Sequence, residues 1–186
     1  MRAIKTTTIS ILAVGLLASL AIGVGAQDEE SAAVASFTGS FSTDAEWPAG
    51  ETQTVLPNGF METTGHVRLN RWESSDPRLT GDVATVVNWV LDPDGFGATE
   101  TGGQPNMLNV SSVELTNDEG SWLGEGISMS STDLDVATDS IVLVGRDGFE
   151  GLTAYVLVDG RAWPPTYSGV IFPTALPETP EPYAGE

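Results

Sequence analysis

The chain has 186 residues, with 26 acidic residues, seven basic residues and no cysteine, so its formal net charge is −19. The missing cysteines exclude disulfides, thiolate metal sites and cysteine nucleophiles. The excess of acids argues against nucleic acid and anionic membrane surfaces as partners, because both require Lys and Arg on the protein.

The first 26 residues have the pattern of a cleaved signal peptide. Arg2 and Lys5 precede an apolar run from Ile9 to Val24, and small residues lead to a predicted cleavage site between Ala26 and Gln27. This run is shorter than the roughly 20 residues of a membrane-spanning helix. We therefore expect a secreted or extracytoplasmic protein that keeps no stable membrane anchor. From Gln27 onward, five arginines stand against 26 acids, a net charge of about −21.

The remaining chain divides into three predicted parts. Residues 27–36 are predicted to be a flexible N-terminal segment, and residues 37–173 a single β domain. Residues 174–186 are rich in Pro and Glu. This composition predicts a disordered tail, because it offers little apolar surface to bury.

The domain is predicted to be all-β and antiparallel. Short runs rich in Val, Ile, Thr and aromatic residues alternate with Gly, Asp, Asn and Pro, which favour turns. The predicted strands are Ala35 to Ser42, Gly65 to Glu73, Asp82 to Leu91, Met107 to Thr116, Ser121 to Ser130, Ser140 to Gly145, Leu152 to Asp159 and Tyr167 to Phe172. Eight strands with mostly short connections predict a meander that closes into a barrel, and the alternative is a two-sheet sandwich.

The first chemically notable residue is His66, the single histidine of the chain. In its predicted strand it shares one face with Arg68 and Asn70, while Val67 and Leu69 share the other face. We expect a solvated or hydrogen-bonded histidine on the polar side of the strand rather than a catalytic residue.

Arg78 lies at a predicted turn after the sequence Ser75-Asp76-Pro77 and is one of few positive charges. Because acids greatly outnumber arginines, we expect an internal ion pair. An anionic ligand at the mouth of the barrel is the alternative partner.

An acidic turn follows the third predicted strand. Asp92, Asp94 and Glu100 suggest a calcium loop, but their spacing differs from that of an EF-hand, which requires Gly at the sixth position and an acid at the twelfth. We expect a turn, and a looser calcium site made of these three acids is the alternative.

Four tryptophans lie in or near the predicted strands. Trp72, Trp89, Trp122 and Trp163 are predicted to be core residues or plugs at the ends of the barrel. Their alternative role is that of aromatic platforms for a ligand.

A glycine-rich corner follows, in which Gly145, Gly148 and Gly151 surround Phe149. Glycines allow positive φ or close approach of strands there, and Phe149 is predicted to fold back over the apolar end of the barrel.

Several segments of this domain resemble uncharacterised secreted bacterial proteins. They are SDPRLTG at 75–81, GSWLGEG at 120–126, VLVGRDGFEGLT at 142–153 and YSGVIFP at 167–173. The corner around Phe149 is also similar, more distantly, to the barrels of allene oxide cyclase and dirigent proteins. This resemblance implies a barrel fold. It does not extend to their activity, because Arg146-Asp147 and Leu152 depart from the pattern of the corner.

The leading hypothesis is a non-enzymatic barrel that binds a small apolar or amphipathic ligand. Arg78, Trp89, Trp122 and Tyr155 are the predicted ligand-binding residues, and neither catalytic residues nor a cofactor are predicted. One alternative is a cyclase-like or dirigent-like enzyme that requires a polar cluster inside the barrel. Another is an envelope-associated structural or adhesive domain, which requires an exposed aromatic patch.

Overall fold

The computed structural model describes residues 33–92, 106–161 and 163–181. Their regular structure is β-strand, apart from one 3₁₀ turn at Pro77–Leu79. The strands are β1 (Ala35–Phe41), β2 (Thr52–Val55), β3 (Met61–Ser74), β4 (Gly81–Leu91), β5 (Met107–Thr116), β6 (Gly120–Ser131), β7 (Val136–Asp147), β8 (Thr153–Asp159) and β9 (Thr166–Phe172). No helix within these ranges is long and apolar enough to cross a membrane.

The strands form one antiparallel sheet that closes on itself. Its order is β1-β9-β8-β7-β6-β5-β4-β3-β2, and β1 also pairs with β3. The eight strands other than β2 therefore form a closed ring. The meander predicted from the strand spacing is confirmed, and the two-sheet sandwich is wrong because every strand belongs to this one sheet.

The observed strands differ from the sequence prediction in their number and in some of their bounds. Strand β2 was not predicted, because all four of its residues are exposed and its sequence TQTV has no apolar alternation. Strand β1 begins at Ala35, where its strand was predicted to begin, so it includes the last two residues of the segment 27–36. Its backbone pairs with β9 from Ala35 onward, and this pairing orders the last two residues of that segment.

Apolar side chains fill one end of the ring, which we call the closed end. The 3₁₀ turn after β3 places Leu79 there, and the β7–β8 turn places Phe149 there. Phe149 stacks on Trp122 with ring centroids 5.2 Å apart, and all three side chains are buried. The predicted fold-back of Phe149 is confirmed.

Aromatic side chains seal the ring where β1 meets β3 and β9. The β1–β3 pairing is short, with Phe41 opposite Trp72 at its end. Tyr167 of β9 packs against both, with ring centroids 5.3 Å and 4.9 Å away. Burial raises the pKa of the Tyr167 phenol, so this side chain stays neutral inside the seam.

The outer face of the ring is unusually apolar between β4 and β8. Leu108 and Val110 of β5, Ile127 of β6 and Leu157 of β8 each expose a large part of their side chains to solvent. Acidic side chains such as Glu125 are interspersed among them and are also exposed. Leu176, which follows β9, lies on this face, because it lines a surface groove with Ile127.

Candidate functional site

A row of polar side chains on β3 points into the ring. Trp72 is only 2 % exposed and marks the inward face of this strand. Because side chains alternate along a strand, Asn70 and Arg68 share this inward face, while Leu69 points outward and is exposed. The face that carries the polar residues of β3 is thus the interior face.

A β-bulge in β3 brings further side chains inward. The pairing with β4 shifts register between Thr63 and His66, and Gly65 has a φ of +72° there. An added residue in a bulge reverses the alternation, so Thr63 also faces inward and is fully buried. The Gly65 N–H donates to Asn88 Oδ1 of β4 at 2.8 Å, which holds the bulge in place.

Arg68 is the positive charge inside the ring. Its Nε and Nη2 are shielded from solvent and have no hydrogen-bond partner among the described residues. Its guanidinium carbon lies 5.5 Å from the ring centroid of Phe41 and 5.3 Å from that of Trp47. Burial lowers the pKa of Arg68, an effect that the negative charge of Asp139 partly offsets. Arg68 nonetheless stays charged, because arginine does not deprotonate in proteins.

Asp139 is the negative charge inside the ring. It lies on β7 between the inward residues Ala137 and Ile141, which are both buried. Burial raises its pKa to about 6, against the opposing effects of the Ser140 N–H and of the Arg68 charge. Its Oδ1 has no hydrogen-bond partner within the described part of the chain. This carboxyl therefore gains and loses its proton within the mildly acidic pH range.

Gly126 of β6 has no side chain, and polar atoms of the two adjacent strands, β5 and β7, approach the space that a side chain would fill. A Cβ at this position would lie 2.6 Å from Ser111 Oγ of β5 and 3.1 Å from Asp139 Oδ1 of β7. The Ser111 side chain is only 9 % exposed, and its hydroxyl likewise lacks a partner among the described residues. A side chain larger than glycine would occupy the place where these two oxygens converge.

We call these five inward residues the interior polar cluster. They are Thr63, Arg68, Asn70, Ser111 and Asp139, and each has a buried side-chain nitrogen or oxygen without a hydrogen-bond partner in the described ranges. Leaving such groups unpaired costs about 1 to 3 kcal/mol each, so native proteins pair them with side chains, ordered water or a ligand. Three of its members are close enough to influence one another, since Arg68 and Asp139 interact through their charges and Asp139 and Ser111 both approach Gly126. These three offer both donors and acceptors to a small polar group.

An aromatic group adjoins the cluster. His66 lies between Trp47 and Trp89, with ring centroids 5.1 Å and 4.6 Å away. Its Nδ1 lies 2.5 Å from Glu51 Oε2, which fixes the imidazole in place. Trp47 is 53 % exposed and also contacts Arg68, so it connects the interior polar cluster with solvent.

The predicted ligand-binding residues lie in three different places. Trp89 adjoins the interior polar cluster through His66. Trp122 and Arg78 lie at the closed end, where Trp122 Nε1 donates to the Arg78 carbonyl at 2.8 Å. Tyr155 lies on the outer face and is 37 % exposed, so it does not contribute to a site inside the ring.

Arg78 forms the internal ion pair that we expected. Its Nη2 lies 2.7 Å from Asp76 Oδ2, and its Nε lies 2.9 Å from Oδ1 of the same carboxylate. Through these hydrogen bonds the Asp76 carboxylate raises the pKa of Arg78, and the guanidinium lowers the pKa of Asp76. We therefore place Arg78 outside the candidate site.

The alternative calcium site is largely beyond what the structure describes. Asp94 and Glu100 lie outside the described residues, whereas Asp92 follows β4 and its N–H donates to the Asn106 carbonyl at 3.0 Å. Within the described ranges, no three His, Asp or Glu side chains come together in a way that could hold a metal ion.

Sequence reasoning missed Arg68, Ser111, Asp139 and Trp47 as site residues. The sequence did indicate that His66, Arg68 and Asn70 share one face of the strand. That face was interpreted as the solvent-facing polar side, although it is the interior face. Ser111 and Asp139 gave no local signal, because serine and aspartate are common in exposed strands of an acidic protein.

Comparison with known proteins adds no family to this description. No family model matches the chain, and no curated protein or solved structure matches it either.

Proposed function

We propose that this protein binds a small amphipathic molecule inside the ring, with the polar part of the ligand at the interior polar cluster. The observation that carries the proposal is the set of buried, unpaired polar atoms contributed by β3, β5 and β7. A ligand group that pairs with them removes their desolvation cost, and this gain contributes to affinity.

The surroundings of the cluster suit a ligand with an apolar part. Phe41 and Trp47 pack around Arg68, and Trp89 packs on His66. Small-molecule sites typically combine such apolar and aromatic walls with a few polar groups that fix orientation. The binding residues of this proposal are therefore Arg68, Ser111 and Asp139, with Trp47 and Trp89 as the aromatic wall.

The test is a titration with 8-anilinonaphthalene-1-sulfonate, an amphipathic dye that fluoresces when it leaves water. We expect saturable binding of one dye per chain, and Arg68→Met should weaken it at least about tenfold, since a hydrogen bond to a charged group contributes about 1.5 to 3 kcal/mol. The matched control is Arg71→Met, which removes the same charge from the exposed face of β3. Binding that Arg68→Met leaves unchanged would place the dye elsewhere and contradict the proposal.

A second candidate function is catalysis in the same place. Asp139 has a pKa raised to about 6 and lies in a ring that also holds Arg68, and displaced carboxyl pKa values are typical of general acids and bases. This candidate is the cyclase-like or dirigent-like enzyme of the sequence hypotheses. A bound ligand recovered in chemically altered form would favour it over simple binding.

A further inference from the structure

Nε and Nη2 of Arg68 are unpaired in the described part of the chain. These are the two nitrogens with which an arginine binds both oxygens of a carboxylate side-on. Both Nε and Nη2 are shielded from solvent and have no hydrogen-bond partner among the described residues. These N–H groups lie in one plane and point in the same direction, so they match the two oxygens of a carboxylate.

Two other arginines of this chain use that same pair of nitrogens. Arg78 donates from Nε and Nη2 to the two carboxylate oxygens of Asp76, at 2.9 Å and 2.7 Å. Arg161 does the same with Asp159, at 2.9 Å and 2.6 Å. In both pairs the acid precedes the arginine by two residues. In Arg78 and Arg161, the carboxylate of a nearby residue thus occupies the Nε and Nη2 pair, which we call the guanidinium fork.

The sequence around Arg68 supplies no such acid. The residues two positions away are His66 and Asn70, which carry no carboxylate. Asp139, across the ring on β7, influences the pKa of Arg68 through its charge but does not hydrogen-bond to Nε or Nη2. Arg68 is therefore a partly buried arginine whose Nε and Nη2 have no carboxylate partner in the described part of the chain.

Aromatic contacts leave the edge of the guanidinium as its binding surface. The guanidinium carbon is 5.5 Å from the centroid of Phe41 and 5.3 Å from that of Trp47. Rings at this distance attract the cation and restrict its rotation. Because the two rings restrict the orientation of the guanidinium, less conformational entropy is lost when a ligand binds.

From these observations we infer that the ligand is a small organic carboxylate, held side-on by Nε and Nη2 of Arg68 with its apolar part against Trp47 and Trp89. The inference rests on the proposed function and specifies the head group of its ligand. Asp139 faces the same interior, so its negative charge opposes that of the carboxylate and weakens binding. His66 is a further titratable side chain nearby, since it packs against Trp47 as Arg68 does, and Glu51 is its acidic partner.

Calorimetric titration with hexanoate and with hexanamide, its neutral analogue of similar size, tests the inference at pH 7.5. We expect hexanoate to bind at least about tenfold more tightly than hexanamide. Arg68→Lys keeps the charge but removes the fork, so it should abolish most of this preference. Arg71→Lys, on the exposed face of the same strand, should leave the preference unchanged.

The Asp139→Asn variant provides a second measurement on a chain that retains Arg68. It should tighten hexanoate binding about threefold or more and leave hexanamide binding unchanged, because only the anion feels the lost charge. An unchanged or weaker hexanoate affinity would contradict the role of Asp139. If Arg68→Lys fails to fold by circular dichroism, the comparison of the two ligands and the Asp139→Asn result still decide the inference.

The two proposals fail in different ways. Equal affinity for hexanoate and hexanamide, or no binding of either while the dye still requires Arg68, overturns the carboxylate inference and leaves the proposed function standing. A dye that binds without regard to Arg68, together with no binding of either hexyl ligand, overturns both.

Discussion

Asp139 couples the stability of the ring to pH. Burial raises the pKa of its carboxyl from 3.8 to about 6 in the folded chain. Between about pH 4 and pH 6 the folded chain therefore binds more protons than the unfolded chain does, so the free energy of unfolding falls as pH rises through this window. Above it, the folded chain carries a buried charge at a cost of at most about 3 kcal/mol.

The Asp139→Asn variant carries no charge at this position, so it should not lose free energy of unfolding to a buried charge. We expect its free energy of unfolding to exceed that of the unchanged chain by about 1 to 3 kcal/mol at pH 7.5, and by close to zero near pH 4, where Asp139 is protonated. Urea unfolding at both pH values measures the difference. Asp133→Asn, in the exposed β6–β7 turn, is the control and should show no such dependence on pH. A gain that is equal at both pH values would argue against a buried charge.

At the scale of elements, the β7–β8 turn closes one end of the ring by its own hydrogen bonds. The Phe149 N–H donates to the Arg146 carbonyl, and the Leu152 N–H donates to the Phe149 carbonyl. Gly151 has a φ of +84°, a conformation that other residues adopt only with strain. These contacts direct Phe149 onto Trp122. The turn is thus a structural plug, which agrees with the role predicted for the glycine-rich corner.

Removing this plug should be costly. Phe149→Ala should lower the free energy of unfolding by about 3 to 5 kcal/mol, because it deletes a buried ring and leaves a cavity beside Trp122. Phe172→Ala, at the end of β9 with a half-exposed ring, is the matched control and should cost much less. Denaturant unfolding monitored by circular dichroism measures both. Equal losses in the two variants would show that Phe149 does not fill the closed end.

Strand β3 illustrates how one irregularity changes a whole row of side chains. The bulge between Thr63 and His66 allows inward residues on both sides of it, although regular alternation would direct them to opposite faces. The same strand pairs with β1 near Trp72 and with β2 near Thr63. The inward polar residues of β3 therefore extend along the strand from the aromatic seam at Trp72 to Thr63, near the other end of the strand.

At the scale of the whole molecule, acidic charge dominates the surface. Three arginines form ion pairs with acids in the described part of the chain, namely Arg71, Arg78 and Arg161. The whole chain has only seven basic residues against 26 acids, so most of the acids stay without a neutralising charge. A high net charge of one sign destabilises the compact state through self-repulsion. The organic anion that we propose as ligand would meet this repulsion before it reached Arg68, so we expect its binding to depend on the local site rather than on the overall charge.

Added salt should therefore stabilise the protein. We expect the melting temperature at pH 7.5 to rise by several degrees between about 0.02 M and 0.5 M NaCl. The Debye screening length is about 10 Å at 0.1 M salt, so added salt weakens the repulsion among surface acids. Equal effects of NaCl and KCl would identify screening as the cause. A melting temperature that falls with added salt would instead indicate that attractive ion pairs dominate.

Local sequence patterns were enough to predict eight of the nine described strands, their antiparallel order and the glycine-rich closed end. Apolar alternation and turn residues are local properties, and the eight predicted strands correspond to eight strands of the structure. Strand β2 was missed because its exposed residues make no apolar pattern. The ion pair of Arg78 was also predictable, since its partner Asp76 is a near neighbour in the chain.

Closure of the sheet, which no local pattern encodes, fixes which face of β3 points inward and what lies opposite it. Alternation separates His66, Arg68 and Asn70 from Val67 and Leu69, but it does not say which row the closed ring encloses. Closure of the sheet places β7 across the interior from β3, so Asp139 comes to influence the charge of Arg68. These residues are 71 positions apart in the numbering of the chain, and no local pattern relates residues that meet only because a sheet closes.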